Sequence, residues 1–216
     1  MKKFTLITMI ASIFLLGACA DTTSKARSVF LLLDTSGTYQ VEIEKARAII
    51  NYLLGTFEPG DSLAVARIDS GSFSEKDIIA KVTFDRRPST ATKQKRLFKE
   101  KVDQFIVQSK GSSYTDITGG VVQAVQYLNE TGAGQRYILI FSDLKEDLAK
   151  GQIRDFPLEM NGCEAIALNV TKLRSDNVDP RQYFERVEGW KKRVEAGGGS
   201  WRLLNDLERL DRILEG

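Results

Sequence analysis

Two stretches of this chain, Ser28-Val29-Phe30-Leu31-Leu32-Leu33 and Arg136-Tyr137-Ile138-Leu139-Ile140-Phe141, are apolar almost without a break and then stop abruptly at polar residues. A strand with one wet face alternates apolar and polar side chains. A run without that alternation reads as a strand buried on both faces, in the centre of a helix-covered sheet. The rest of the chain supplies the cover. Ala46, Ile49, Ile50, Leu53 and Leu54 recur at helical spacing, and Glu58-Pro59-Gly60-Asp61 ends that helix. Strands are expected over 62–68 and 78–84, and a helix face through Phe98, Val102, Phe105 and Ile106. The polar loop 110–113 leads to a stripe of Ile117, Val121, Ala124, Val125 and Leu128, with Thr115 and Asp116 at its start, where an acid suits the helix dipole. A strand over 164–170, a helix lined by Tyr183, Phe184, Val187, Trp190 and Val194, a short strand around Trp201 and a terminal helix through Leu207, Leu210 and Leu214 complete the order. Strands alternating with helices predict an α/β fold: a three-layer, doubly wound, mostly parallel central sheet covered on both faces. Such sheets bind ligands beyond the carboxyl ends of their strands, where the winding reverses.

The N-terminus speaks to location. Lys2 and Lys3 precede an apolar run from Phe4 to Leu16 that ends in small residues, the layout of a signal peptide. Leu16-Gly17-Ala18-Cys19 resembles the lipobox at which bacterial prolipoproteins are acylated on cysteine and cut. The expected organisation is a leader over 1–18, an acylated Cys19 with a short tether over 19–27, and one domain over 28–216. Two acyl chains hold a protein at a bilayer through about 0.8 kcal/mol per buried methylene. The expected location is therefore the cell envelope, and Ala20 after the cysteine resembles the outer-membrane sorting pattern of two-membrane bacteria.

Charge and composition then exclude several chemistries. The 31 lysines and arginines include Lys2 and Lys3, which leave with the leader, so the mature chain balances its 29 acids. A neutral chain offers nucleic acid no clustered positive face, and the basic stretch between Lys81 and Lys101 reads as a solvated helix face beside an edge strand. The absence of histidine removes Ser-His-Asp and Cys-His mechanisms and every histidine-bound zinc or copper site. With Cys19 acylated, Cys163 has no intrachain partner and reads as a small buried hydrophobe. There is no P-loop, and Gly132-Ala133-Gly134 precedes a strand instead of following one.

Oxygen ligands remain, and they gather where such a fold places its site. Asp34, Ser36 and Thr38 follow the first strand, Thr115 stands at a helix start, and Asp143 follows a later strand. Carboxylates and hydroxyls are hard donors suited to Mg2+ or Mn2+. Taken singly, each is equally a turn former or a capping residue. Together, Asp34-Thr35-Ser36-Gly37-Thr38, Thr115 and Asp143 resemble the metal-ion-dependent adhesion site of the von Willebrand factor type A family, written Asp-x-Ser-x-Ser, then Thr, then Asp. The resemblance covers most of the mature chain. It implies the family's Rossmann-like fold with one antiparallel edge strand, a metal held by the hydroxyls of Ser36, Thr38 and Thr115, and Asp34 and Asp143 acting largely through water. It also implies one open coordination position for an Asp or Glu of a partner protein. Thr38 replaces the family's second serine, and Leu144 stands where the family often has glycine.

Three functions follow from these residues. The favoured one is a metal-dependent protein-binding module anchored to a membrane, not an enzyme. A second is a phosphatase, because Asp34-Thr35-Ser36-Gly37-Thr38 also looks like the phosphorylation loop of the haloacid-dehalogenase superfamily, with Asp34 as nucleophile. That pattern needs a lysine before the last acidic loop, and none lies between Gly111 and Tyr137. The third is a metal-free structural lipoprotein of the envelope.

Overall fold

A computed structural model describes residues 24–37, 39, 42–71, 73–109, 111–208 and 210–214. The leader, Cys19 and Thr38 lie outside the described residues. The elements are β1 (Arg27–Asp34), α1 (Ile43–Thr56), β2 (Ser62–Ile68), β3 (Ile78–Thr83), α2 (Pro88–Gln108), α3 (Ile117–Glu130), β4 (Gln135–Phe141), β5 (Glu164–Leu168), α4 (Arg181–Ala196) and β6 (Ser200–Leu204). They form one six-stranded sheet in the order β3-β2-β1-β4-β5-β6. Every neighbouring pair is parallel except β2 and β3, so β3 is the antiparallel edge strand.

The apolar runs are explained by this position. In β1, Val29, Leu31 and Leu33 point into one core layer while Phe30 and Leu32 point into the other, all of them fully buried. In β4, Tyr137, Leu139 and Phe141 share the first layer, and Ile138 and Ile140 the second. Because side chains alternate across a sheet, both faces must be apolar when both are covered. Ile49 and Leu53 of α1 and Phe98 and Val102 of α2 close the first layer; Val121 and Leu128 of α3 and Trp190 and Val194 of α4 close the second. The second layer is built close. A Cβ on Gly120 of α3 would stand 3.0 Å from Leu32 Cδ2, so a glycine there lets the helix approach β1.

From β1 the chain winds outward to β2 and β3, then crosses back to lay β4 on the other side of β1. The winding reverses between β1 and β4, and this opens a crevice at their carboxyl ends. Leu33 pairs with Phe141 in register, so Asp34 and Ser142 emerge side by side.

Two sequence expectations are corrected. The terminal helix is only a 3-10 turn over Leu210–Ile213. The Arg202 guanidinium of β6 donates to the carbonyls of Arg212 at 2.9 Å and Ile213 at 2.8 Å, which ties the segment to the sheet edge, and Ile213 is buried in the first layer. Phe184 does not line the buried face of α4; it is exposed, in edge contact with Tyr183. The basic stretch between Lys81 and Lys101 is a solvated surface crossed by local ion pairs, Lys81 with Glu75, Arg87 with Asp85 and Lys99 with Asp103. Cys163 is fully buried, and burial pushes its thiol above the usual range.

The end of α4 carries a close approach. A Cβ on Gly197 would fall 2.1 Å from the Leu158 carbonyl oxygen, which is backbone and cannot swing aside. Gly197→Ala is expected to cost about 2 kcal/mol, the scale of an overpacked site, read as a lowered urea midpoint with unchanged m-value.

Candidate functional site

The loops after β1 and β4 and the loop before α3 meet at the crevice. Asp34 is 1% exposed, and both of its carboxylate oxygens are engaged. Oδ1 accepts from the Ser36 amide at 2.8 Å, and Oδ2 accepts from the Ser142 hydroxyl at 2.6 Å, across from β4. The first bond is an Asx turn, which folds the chain back at the strand end and lifts Ser36 over the carboxylate. The Asp143 carboxylate makes the same turn on β4, accepting from the Lys145 amide at 2.8 Å. Between them Leu144 adopts φ 64°, a left-handed conformation that glycine takes readily and leucine does not.

Backbone bridges sew the loops together. Ser112 donates its amide to the Thr35 carbonyl at 2.7 Å, and Thr115 and Asp147 exchange amide bonds at 2.7 and 2.9 Å. Ser36, Ser112, Thr115, Asp143, Lys145 and Asp147 line one cavity of about 260 Å³ at this edge of the sheet. Of the expected ligands, Ser36, Thr115 and Asp143 thus share a cavity, and Asp34 lies beneath, tied to Ser36 and Ser142. Thr38 lies outside the described residues.

Thr115 is not the helix cap. That role falls to Asp116, fully buried, whose carboxylate accepts from the Gly119 amide at 2.8 Å and from Arg154 at 2.6 Å. Capping by Asp116 fixes the first turn of α3 and with it the preceding Thr115.

Burial is the main influence on both site carboxylates and raises their pKa values. For Asp34 this is opposed by hydrogen bonds from Ser142 and Ser36. For Asp143 it is opposed by the Lys145 amide and reinforced by the negative charge of Asp34. Two desolvated carboxylates that repel each other are relieved by a cation. Among the described residues no three His, Cys, Asp or Glu side chains cluster to hold a metal by themselves, so an ion here must also draw on hydroxyls. Ser36 and Thr115 supply them on the cavity wall. Hard oxygen donors with only two carboxylates fit Mg2+ or Mn2+ with retained water better than a thiolate or imidazole metal.

Five members of this environment stand outside the expected ligand set: Ser142, Ser112, Ser113, Lys145 and Asp147. Ser142 was legible as the residue next to Asp143, but its bond to Asp34 spans 108 positions and depends on strand order.

Farther out, Asp176 is 2% exposed and bound to Arg186 at 2.9 Å, and this Arg186 hydrogen bond holds its carboxyl below the usual range. A lowered folded value means stability that is complete above the unfolded pKa, about 3.9, and lost as pH falls through the folded value. Asp176→Asn should remove that part of the acid limb, as followed by unfolding midpoints between neutral pH and pH 2.

No family model matches this sequence, and no curated protein is similar to it. Solved structures are similar in fold. A von Willebrand factor type A protein from Catenulispora acidiphila aligns with TM-score 0.52 and 12% identity over 87% of this chain and 41% of its own. The pilus adhesin SpaC of Lactobacillus rhamnosus GG, in its open conformation, aligns with TM-score 0.55 and 10% identity over 88% and 29%. Manganese-loaded TRAP protein of Plasmodium vivax aligns with TM-score 0.52 and 14% identity over 88% and 72%. This chain thus spans less than half the length of the first two. A six-stranded, mostly parallel sheet with one antiparallel edge, wound around a central β1 and covered by helices on both faces, gives this chain the von Willebrand factor type A fold.

Proposed function

We propose that this chain is an exported, lipid-anchored domain that captures a partner protein through a divalent ion held at the β1–β4 crevice. The observation that carries the reading is the convergence of Ser36, Thr115 and Asp143, from three separate loops, on one cavity above the buried Asp34. Ser36, Thr115 and Asp143 would hold the ion, with Thr38 as a further hydroxyl donor and Asp34 acting from beneath. The ion supplies an electrophilic centre for a carboxylate of the partner. The manganese-loaded TRAP protein, similar in fold, supports a divalent ion of this kind.

The rim suits an acidic protein ligand. Lys145 lines the same cavity and brings a positive charge to the approach of an Asp or Glu. Tyr114, next to Thr115, is 38% exposed, and tyrosine is enriched where protein surfaces meet. Attachment in this reading rests on acylation of Cys19; among the described residues no helix is long and apolar enough to cross a membrane. Asp34 as a phosphorylated nucleophile has less support, since its carboxylate is nearly inaccessible and both oxygens are occupied.

Calorimetric titration of the chain with Mn2+ and Mg2+ tests the reading. One ion per chain with sub-millimolar affinity is expected; no uptake below the millimolar range removes the metal from the proposal. Detergent partitioning of the expressed full chain, with and without Cys19→Ser, tests the anchor: only the native chain should enter the detergent phase.

A further inference from the structure

Helix α4 carries Arg186, Trp190 and Arg193 in one row, at spacings of four and three. All three side chains reach the loop that bears Asp143. Arg186 Nε donates to the Asp143 main-chain carbonyl at 2.8 Å, and Trp190 Nε1 donates to the Leu144 carbonyl at 3.0 Å. One turn on, Arg193 pairs with Glu146 at 3.7 Å and donates to the Thr118 hydroxyl at 2.8 Å. Thr118 in turn donates its amide and hydroxyl to the Glu146 carboxylate at 2.7 and 3.0 Å. Arg186 is itself held from behind by Asp176, through two bonds of 3.2 and 2.9 Å.

The residue gripped on both sides is Leu144, the left-handed one. Its backbone reversal turns the Lys145 amide toward Asp143 Oδ1, and that bond aims the carboxylate. The Leu144 amide also donates to the Ser142 hydroxyl at 3.0 Å. Loss of the α4 donors removes two of the three bonds around this left-handed leucine and favours relaxation toward negative φ, which turns the Lys145 amide away from Asp143. The direction of the Asp143 carboxylate therefore depends on hydrogen bonds supplied by a helix that contributes no atom to the cavity.

We infer that Arg186 and Trp190 are positioning residues for the ion site: their hold on the Asp143 and Leu144 carbonyls sets the divalent-ion affinity, which couples α4 energetically to the crevice. The inference rests on the metal reading proposed above. Groups that orient ligands from outside the coordination sphere change metal affinity by about 10–100-fold. Coupling is reciprocal, so an ion that benefits from the clamp must also strengthen it.

The test uses the full chain with Mn2+ as probe. Arg186→Met and Trp190→Phe are each expected to weaken Mn2+ binding about tenfold while circular dichroism shows a native fold. In the native chain, Mn2+ should slow amide hydrogen exchange across residues 181–196, and that slowing should vanish in Arg186→Met. A merely structural clamp lowers the unfolding midpoint and leaves the affinity of folded protein unchanged; that result overturns the inference. Should neither variant fold, the native exchange experiment decides alone, and absence of protection in α4 on Mn2+ binding overturns it. A native chain that takes up no Mn2+ overturns the site reading and this inference together, whereas a native chain that binds normally beside variants that bind equally well overturns the coupling only.

Discussion

Asp34→Ala is expected to weaken Mn2+ binding by about 100-fold while leaving the sheet intact. The carboxylate is buried beneath the cavity and is the point where the β1 and β4 loops are tied, to Ser36 on one side and Ser142 on the other. Alanine removes a buried charge beneath the proposed ion and breaks the ties to Ser36 and Ser142. The effect on stability is smaller than the number of lost bonds implies. The Ser142 hydroxyl and Ser36 amide lose their acceptor, at about 1–3 kcal/mol for a buried group left unsatisfied. A desolvated anion disappears at the same time, and the raised pKa of Asp34 shows that its burial is unfavourable to the charge. Asp34→Asn separates charge from shape, because the amide oxygen still accepts from Ser36 without carrying charge. Both variants should lose the ion in calorimetric titration. Retention of native affinity in Asp34→Asn would show that the buried charge plays no part in holding it.

The largest stability effect is expected at Arg154. Its guanidinium makes bonds of 3.0 and 2.6 Å to Asp116, whose side chain is wholly buried at the start of α3. Arg154→Met keeps much of the side-chain bulk but leaves a buried carboxylate without its cation, a loss of about 3 kcal/mol. For a domain of this size that is a fall of about 10 °C in the thermal midpoint. The remaining bond from the Gly119 amide satisfies one oxygen and does not neutralise the charge. In the double variant Arg154→Met/Asp116→Asn the charge is gone and the cap is kept, so part of the stability should return. If Arg154→Met unfolds within about 0.5 kcal/mol of the native chain, the range of an ordinary surface substitution, the ion pair is not supporting the helix. The same variant reports on the site, since Asp116 fixes the backbone immediately after Thr115.

How far the fold could be read from residues is clearest at β1 and β4. Their unbroken apolar runs identified two central strands because burial on both faces leaves a mark at every position. The antiparallel edge at β3 came only with the family resemblance, whereas the helical stripes on α1 to α4 were legible from a different period, about three to four residues, which marks the face that meets the core. The chain end was not. Leu207, Leu210 and Leu214 have helical spacing, yet the segment forms a 3-10 turn over Leu210–Ile213, and Arg202 of β6 donates to the carbonyls of Arg212 and Ile213. Helical spacing proposes which residues meet the core; here the fully buried residue is Ile213, outside that spacing.

The candidate site divides in the same way. Asp34, Ser36, Thr115 and Asp143 could be named because each sits where a recognisable element ends, and the order of strands and helices brings such ends to one edge. Residue type and periodicity along the chain thus determined the three-layer sheet, the exclusion of histidine and thiolate chemistry, and the oxygen donors at the strand ends. The tertiary structure decided which polar groups face one another: Ser142 on Asp34, Arg154 on Asp116, and the row of Arg186, Trp190 and Arg193 on the Asp143 loop. Those partners stand 38 to 108 positions apart in sequence. The reason is physical: periodicity reports only whether a side chain meets the core, whereas a buried hydrogen bond depends on which distant loops the topology brings within about 3 Å of each other.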